Sequence, residues 1–495
     1  MAPTNNELIG SIDFGMVNTR VAFMELGRPK VALNSKNSTT TPTVMHFRKD
    51  GTPIIGAGAA KFMVIDPANT IIDFKVGLMN GMTYTSPTGQ SYTADELATL
   101  FLKVLREEVE TVLGKKLGKV VLTCPTDAKQ AYRETLKTVA NKAGFEVVGL
   151  RNESEAVGLA YDFDRLNVNG NILVVDIGGA TCDVSLVEKQ GNSLDMRAGA
   201  GDNHLGGRRF DDVLLQYVSQ QFADKHGFNL HRKLENHARV LEQVIEAKHS
   251  LSEVDKVVIP LSAEGHALDL EVSRETFNQL IAEFVERALT LVKSVLASAN
   301  LKPGDVSFLV LNGGSSVIPL FEQKMVELVG KKPVSGVNRQ LAVVIGSTLD
   351  AARKTGAVVR DENSQSLPDI SVKTRTIHGL GLLVEDAQGR KNYMMIPAGT
   401  VTPYKFSQTF TTKYDDQTSV SLVLLQGNTE DVSQCTPLVK EGEHVLSGIA
   451  KMARGVPQIL VAYQIDESEL VAIDASEKYS GVSTKFAVQA KGVTE

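Results

Sequence analysis

The stretch VVDIGGATCD at positions 174–183 decides the fold of this chain. An apolar run leads into Asp176, two glycines follow, and a hydroxyl and a second acid close the stretch. This pattern indicates a buried strand that enters a tight turn. Because Gly178 and Gly179 have no Cβ, their N–H groups can approach a phosphate closely, and the carboxylates of Asp176 and Asp183 suit a hydrated metal ion. An ordinary turn with a solvated acid is the alternative.

A second copy of the pattern lies near the start of the chain. IDFG at 12–15 repeats the shape of VDIG at 175–178, and it follows a strand-like run and precedes another. A strand that ends in Asp-x-Gly in each of two successive segments suggests two related halves that face one nucleotide. A repeat this short also arises by chance, so the surrounding elements must agree with it.

The surrounding elements do agree, because strands and helices alternate along both halves. TADE at 93–96 has the spacing of a capping box and starts a helix that Gly114 ends. Buried strands are predicted at 119–124, 146–150 and 306–311, and long amphipathic helices at 230–252 and 273–299. A third glycine turn, NGGSS at 312–316, can pack against a nucleoside or a phosphate, or form a plain corner. The pattern predicts an α/β fold with mixed or parallel sheets.

The sequence pattern changes after Arg360, where a polar stretch without periodicity predicts a linker. Strands are predicted beyond it at 409–414, 419–425, 458–465 and 469–473. We therefore predict a first domain over 1–360, a linker over 361–378 and a β-sandwich over 379–495.

Composition excludes several classes of protein. A net charge of −6 gives no general attraction to nucleic acid or acidic membranes. The three cysteines lie far apart without metal-ligand spacing, which suits a reducing compartment. The first residues lack the pattern of a signal peptide, and no apolar run approaches the ~20 residues of a membrane span. A cytoplasmic location is the expectation.

These motifs together resemble those of the heat-shock-70 chaperones across nearly the whole chain. The matching stretches are the two Asp-x-Gly turns, NE at 152–153 with the helix after it, GDNHLGG at 201–207, GGS at 313–315 and ARGVPQI at 453–459. The resemblance implies an actin-like, two-lobed ATPase fold of duplicated ribonuclease H-like halves, followed by a β-sandwich substrate-type domain. Because the sequence ends at Glu495, we expect no helical lid.

The resemblance also implies the residues of a nucleotide site. Those that would bind ATP, with or without magnesium, are Asp13, Gly15, Met16, Val17, Asn18, Gly178, Gly179, Ala180, Thr181, Gly206, Gly207, Lys248, His249, Ser252, Gly313, Gly314 and Ser315. Residues that match the family's catalytic groups are Lys75, Glu153, Asp176 and Thr181. Asp13 and Asp176 would reach a magnesium ion through water. His249 is equally well explained as a surface histidine.

Several positions depart from the family pattern. Met16 and Val17 stand where the family has two threonines, and Ala180 replaces the third glycine of the second turn. Losing one preorganised donor costs roughly 10²–10³ in rate. Ile245, His249 and Val317 also differ from the usual residues around the adenosine. We therefore predict that ATP binds and that its hydrolysis is slow or absent.

The linker and the β-rich end depart too. SLPDISV at 366–372 replaces the family's apolar, aspartate-bracketed linker, and GRKNY at 389–393 places two cations in a loop that usually meets a client. These losses resemble the atypical branch of the family in the fungal ribosome-associated complex. The expected partners are a J-domain protein of the zuotin type, the ribosome through it, a second heat-shock-70 chaperone and a nascent polypeptide. An active ATP-hydrolysing chaperone remains the alternative; a sugar kinase of the same superfold is weaker, because it gives the β-domain no role.

Overall fold

The structure is a computed structural model that describes residues 7–163, 169–230, 234–361, 363–386, 388–439 and 442–488. The chain divides into two compact units. Unit 1 comprises Met1–Thr126, Val139–Leu194 and Gly199–Ile370, and unit 2 comprises Asp127–Thr138, Asp195–Ala198 and Ser371–Glu495. Unit 2 is thus built mostly from the β-rich end, with two short stretches from the first half of the sequence. The domain ranges given above stay a prediction.

Unit 1 contains strands and helices in alternation. Its strands are β1 (Glu7–Phe14), β2 (Asn18–Glu25), β3 (Arg28–Val31), β4 (Thr41–Pro42), β5 (Met45–Phe47), β6 (Pro53–Ile55), β7 (Thr70–Ile71), β8 (Thr83–Thr85), β9 (Ser91–Thr93), β10 (Lys116–Cys124), β11 (Glu146–Asn152), β12 (Gly170–Ile177), β13 (Cys182–Gln190), β14 (Ser193–Asp202), β15 (Lys256–Ala263), β16 (His266–Ser273) and β17 (Phe308–Asn312). The helices are α1 (Gly56–Ala60), α2 (Phe62–Ile65), α3 (Phe74–Asn80), α4 (Ala94–Leu113), α5 (Gln130–Lys142), α6 (Glu153–Phe163), α7 (Gly207–His226), α8 (Leu234–Ser250), α9 (Arg274–Ser298), α10 (Pro319–Val329) and α11 (Ala342–Thr355). The first part of α5 and the middle of β14 belong to unit 2.

The two large sheets of unit 1 repeat one arrangement. In the first, the order is β11-β10-β1-β2-β3, and β1 runs parallel to β10 and antiparallel to β2. In the second, β12 runs parallel to β17 and antiparallel to β13, which pairs with β14. Each sheet therefore has a central hairpin whose turn is one of the two Asp-x-Gly stretches. This duplicated, mixed α/β arrangement fits an actin-like ATPase fold.

Local signals in the sequence set several of these elements. The predicted capping box is confirmed: Glu96 N donates to Thr93 Oγ1 over 3.2 Å, and Thr93 N donates to the Glu96 carboxylate over 2.8 Å. Helix α4 ends at Gly114, whose φ of 64° is left-handed. Strands β15 and β16 pair as an antiparallel hairpin between α8 and α9. Of the helix predicted over 230–252, residues 231–233 lie outside the described residues.

A buried ion cluster holds three elements of unit 1 together. Arg151 on β11 donates to both Asp350 oxygens over 2.9 and 3.0 Å, and to Glu155 over 2.8 Å. The three side chains are at most 3% exposed. Because Glu155 lies on α6 and Asp350 on α11, the cluster fixes both helices to the sheet edge.

Unit 2 is dominated by two antiparallel sheets. Its strands are β18 (Ser371–Lys373), β19 (Leu380–Asp386), β20 (Gly389–Ile396), β21 (Tyr404–Phe410), β22 (Ser419–Ser421), β23 (Leu424–Gln426), β24 (Thr436–Pro437), β25 (Val445–Ser447), β26 (Ile459–Ile465), β27 (Val471–Glu477) and β28 (Ser483–Ala487). The sheets have the orders β20-β19-β23-β24 and β21-β26-β27-β28, and their apolar side chains share one core. The buried Tyr463 hydroxyl on β26 donates to Gly381 O on β19 over 2.9 Å, which joins the sheets.

Two strand predictions in unit 2 were wrong. The single strand expected at 419–425 is two strands, β22 and β23, which pair in different sheets. The strand expected at 409–414 is Tyr404–Phe410, which pairs residue for residue with Ile459–Ile465. The aromatic residues from Tyr404 to Tyr414 all fall at even positions, so the alternation indicates which face is apolar but not where the strand begins and ends. Pairing with β26 sets those bounds. Across the described ranges, no helix combines the length and apolar character needed to span a bilayer.

Candidate functional site

The two Asp-x-Gly turns meet in unit 1. Asp13 is the penultimate residue of β1, and Asp176 holds the same position in β12. Each strand then turns back into its antiparallel partner. Val17 in the first turn contacts the second turn at Gly179. The sequence-predicted pairing of the two turns is therefore present in space.

Close contact explains why the second turn contains glycine. A Cβ atom on Gly179 would lie 2.2 Å from Val17 Cγ2, so only glycine fits beneath this valine. Gly178 N donates to Thr181 O over 3.0 Å and closes the turn. In the first turn, a Cβ on Gly15 would lie 2.3 Å from Asn18 O, so that turn also folds tightly on itself. Both turns are compact, and an apolar side chain lies between them.

Four carboxyl groups surround the strand ends. Burial raises the pKa of Glu153, the first residue of α6, well above its ordinary value, and the charges of Asp183, Asp13 and Asp176 raise it further. Burial also raises the pKa of Asp176 to about 7, although a hydrogen bond from Asn312 opposes the shift. These shifts indicate that the carboxyl groups share one poorly solvated pocket, which needs cations or a ligand to balance it.

Lys75 supplies one of those cations. It lies on α3, is 3% exposed, and donates to Phe14 O from a position 4.2 Å from the centre of the Phe14 ring. Burial lowers the pKa of Lys75 to about 8, and the nearby charges of Glu153 and Asp13 oppose the shift. The structure therefore brings Lys75, Glu153 and Asp176 to one pocket, with Thr181 half-buried in the adjacent turn.

Sequence reasoning missed three polar residues at this pocket. Thr123 donates to Asp13 Oδ1 over 3.1 Å, and Asn312 donates to Asp176 Oδ2 over 2.7 Å. Arg20 Nη1 lies 3.6 Å from Asp13 Oδ2. A signal for Arg20 was present in its spacing, because it follows Asp13 by the same interval that separates Asp183 from Asp176.

The second turn is held from its other side by glycines and polar side chains. Gly207 N and Ser315 Oγ both donate to Gly178 O, over 3.0 and 2.9 Å. Lys248 Nζ donates to Gly207 O over 3.2 Å. A Cβ on Gly206 would lie 2.7 Å from Ala180 N, so the start of α7 packs directly on the turn. Four predicted positions, Gly206, Gly207, Lys248 and Ser315, therefore form one connected group with the second turn.

The remaining predicted residues lie around this group. Gly313 has a left-handed φ of 85°, and a Cβ there would be 2.3 Å from Ile177 O, so the third glycine turn packs on the end of β12. A Cβ on Gly314 would meet open space. His249 is exposed at the end of α8, and its carbonyl accepts a hydrogen bond from Ser252 N over 3.1 Å. Met16 is half-buried in the first turn.

The pocket combines two cationic side chains with carboxyl groups that, among the described residues, form no cage for a metal ion. Lys75 and Arg20 offer positive charge, and the buried Nε of Arg20 has no hydrogen-bond partner in the part of the chain that the structure describes. No group of three or more His, Cys, Asp or Glu residues in the described ranges is arranged to hold a metal ion. Each Asp13 oxygen already faces a donor. A role of Asp13 and Asp176 through water on a nucleotide-borne ion stays a prediction.

A model of the Hsp70 protein family matches residues 8–88 and 77–495 of this chain in two overlapping segments. The matched residues include both Asp-x-Gly turns, the third glycine turn and the described part of the β-rich unit. The match covers well over half of the sequence, and the duplicated hairpins of unit 1 agree with it. The chain therefore belongs to the Hsp70 family.

Proposed function

We propose that this chain is an ATP-binding, hydrolysis-impaired co-chaperone of the Hsp70 family. Membership of the family supports a chaperone-type function, and Hsp70 proteins bind ATP with magnesium. The proposal adds a stable complex with a J-domain protein of the zuotin type, located on cytoplasmic ribosomes. In that complex the chain would assist a second, active heat-shock-70 chaperone that folds nascent polypeptides.

The contact of Val17 with Gly179 carries the proposal. The resemblance assigns threonine hydroxyls to the positions of Met16 and Val17, where they would orient phosphate and ions. Here a valine methyl group lies against the second turn instead, and neither side chain offers a hydrogen-bond donor. Developing charge on a transferred phosphate would lose that stabilisation, which slows hydrolysis by roughly 10²–10³ per donor. Binding suffers less, because the turn backbones and Lys75 remain in place.

The charge pattern of the β19–β20 hairpin supports a partner over an apolar client. Lys391 Nζ lies 2.7 Å from Asp386, and Glu385 pairs with Lys413 over 2.6 Å and with Arg390 over 3.9 Å. An apolar peptide placed here would remove water from these charged side chains and offer them no hydrogen bonds in its place. A polar partner segment suits this hairpin better.

A single-turnover assay tests the impaired hydrolysis. Purified protein is mixed with limiting radiolabelled ATP, with and without a J-domain. We expect no J-domain stimulation, and a gain of roughly 10²-fold or more in the Met16→Thr, Val17→Thr double variant. Hydrolysis as fast as that of an ordinary family member, stimulated by the J-domain, would overturn the proposal.

The second candidate is an active ATP-hydrolysing chaperone that binds unfolded peptides. The buried group of Lys75, Glu153 and Asp176 favours it, because these are the groups that the resemblance assigns to catalysis. If it holds, the wild-type protein has a measurable turnover rate that Lys75→Ala abolishes. An unchanged growth phenotype in cells that carry Lys75→Ala would favour the co-chaperone.

The proposed assembly needs its own test. Affinity purification from cytosol at native abundance should recover a J-domain protein in equal amount, together with ribosomal proteins. The purified complex should contain unhydrolysed ATP. Recovery of the chain alone, with bound ADP, would contradict the stable complex.

A further inference from the structure

The strongest unexplained feature of the pocket is a difference between its two halves. In the second hairpin, Asp176 pairs across the strands with Asp183. In the first hairpin, Asp13 pairs across the strands with Arg20. The two pairs occupy equivalent positions, because β1 and β12 each lie between a parallel strand and an antiparallel hairpin partner. One half thus places an acid where the other half places a guanidinium.

The side chain of Arg20 is largely buried in this pocket. Its side chain is 13% exposed, and Nη1 lies 3.6 Å from Asp13 Oδ2. That distance balances charge but exceeds an ordinary hydrogen bond. Asp13 receives its short hydrogen bond from Thr123 instead. The guanidinium therefore lies beside the carboxylate through Nη1, and its Nε–H takes no part in that contact.

The Nε–H of Arg20 lacks an acceptor. This atom is buried and has no hydrogen-bond partner among the described residues. A buried donor without an acceptor is costly, and native proteins satisfy nearly all such groups. Arg20 lies opposite Asp13 in the hairpin whose turn the proposed function assigns to the phosphates of ATP. A phosphate oxygen is the acceptor that this donor lacks.

We propose that Arg20 supplies, from within the protein, the positive charge that a divalent cation would otherwise bring to the nucleotide. Its Nε–H donates to a phosphate oxygen while Nη1 faces Asp13. A guanidinium suits both roles, because it stays charged and presents several donors in a fixed plane. The described acids form no cage for a metal, which agrees with this assignment. The inference rests on the proposed binding of ATP and names its form: nucleotide held without an obligatory divalent cation.

The test is ATP affinity with and without metal. Calorimetry with ATP would be run in excess magnesium chloride and in excess EDTA on the wild type, Arg20→Ala, Arg20→Lys and Arg28→Ala. The last variant removes the same charge from β3, away from the pocket. We expect EDTA to weaken wild-type and Arg28→Ala binding by less than about threefold. Arg20→Ala should bind ATP about tenfold or more weakly in EDTA, and magnesium should restore most of that loss.

The controls separate this inference from the proposed function. Arg20→Lys keeps the charge, so it should stay closer to the wild type than Arg20→Ala. Thermal unfolding without nucleotide checks that each variant is folded. Tight wild-type binding that EDTA weakens as strongly as it weakens Arg20→Ala would overturn the role of Arg20 and leave ATP binding intact. No ATP binding in either buffer would overturn the proposed function and this inference with it.

Discussion

The backbone of Gly179 lies directly beneath the side chain of Val17, so close that a Cβ atom on the glycine would be 2.2 Å from Val17 Cγ2. Gly179→Ala should therefore push the two phosphate turns apart. Overpacking of this size costs roughly 1–3 kcal/mol, so ATP affinity should fall about tenfold. Calorimetric titration with ATP measures the change.

A compensating variant makes that prediction specific. Val17→Ala removes the atoms that a new methyl group would strike, so the Gly179→Ala, Val17→Ala double variant should regain most of the lost affinity. Gly304→Ala serves as the matched control, because a Cβ there meets no atom within 4 Å. Equal loss in the single and double variants would show that the contact with Val17 is not the cause.

The sequence predicted those parts of the pocket that depend on residues adjacent in the chain, and it missed those that depend on contacts between distant residues. The Asp-x-Gly turns and the Thr93 capping box each depend on a few neighbouring residues, so the sequence predicts them, and the structure has both. The spacing of Arg20 from Asp13 repeats that of Asp183 from Asp176, but only the register of the β1–β2 hairpin places Arg20 opposite Asp13. The contact of Val17 with Gly179 joins turns far apart in sequence, and no periodicity encodes it.

The β-rich unit shows the same limit. Residues 127–138 belong to unit 2 although they lie within the first predicted domain range, and a linear division of the chain cannot express that. The strand around Tyr404 was placed too late because one alternation continues from Tyr404 to Tyr414, and only pairing with β26 shows where the strand begins and ends.

The buried pair of Arg151 and Asp350 leads to a stability prediction. Asp350→Asn should lower the free energy of unfolding by about 3 kcal/mol, because it leaves the Arg151 cation buried with less compensation. The double variant Arg151→Met, Asp350→Asn should lose less than the single variant. Urea unfolding followed by far-ultraviolet circular dichroism measures both, since the chain has no tryptophan.

An exposed ion pair provides the control for that experiment. Lys324 and Glu327 lie 2.8 Å apart on α10 at the surface. Lys324→Ala should have little effect, because exposed pairs contribute little. A loss in Lys324→Ala as large as that in Asp350→Asn would contradict the argument from burial.

Glu469 in unit 2 combines strain with charge. Its φ of 58° is left-handed, which is unfavourable for a residue with a Cβ. Its carboxylate lies 2.9 Å from Arg133 Nη2, and both side chains are at most 8% exposed. Glu469→Gly should relieve about 1 kcal/mol of backbone strain yet destabilise unit 2 overall by about 2 kcal/mol, because the buried Arg133 cation loses the Glu469 carboxylate.

Hydrogen exchange can locate this loss in unit 2. Amides of β26 and β27 should exchange faster in Glu469→Gly, and the Arg133→Met, Glu469→Gly double variant should recover part of the protection. Asn300→Gly in unit 1 is the matched control, because Asn300 has a φ of 56° and the change relieves strain without removing a charge. Increased protection in Glu469→Gly would show that backbone strain outweighs the ion pair.

Glu477 is the last residue of β27 and holds the turn that leads to β28. Glu477 is 1% exposed, and its carboxylate accepts hydrogen bonds from Tyr479 N over 2.9 Å, Ser480 N over 2.8 Å and Ser480 Oγ over 2.6 Å. Burial acts to raise the pKa of Glu477, but these hydrogen bonds outweigh it and hold the pKa at about 2. The ionised form is therefore the one that stabilises the turn.

The sign of the pH dependence follows from that depression. The pKa of Glu477 in the folded protein is below its ordinary value of 4.5, so its contribution is complete above about pH 4.5 and is lost as the pH falls toward 2. Glu477→Gln should lower the stability of unit 2 by about 2 kcal/mol near pH 7, and by much less near pH 3. Asp474→Asn, on the same strand in a more exposed pair, should show a smaller difference. Hydrogen exchange of the β27 and β28 amides across this pH range measures the effect, and a difference that stays constant with pH would assign the loss to packing.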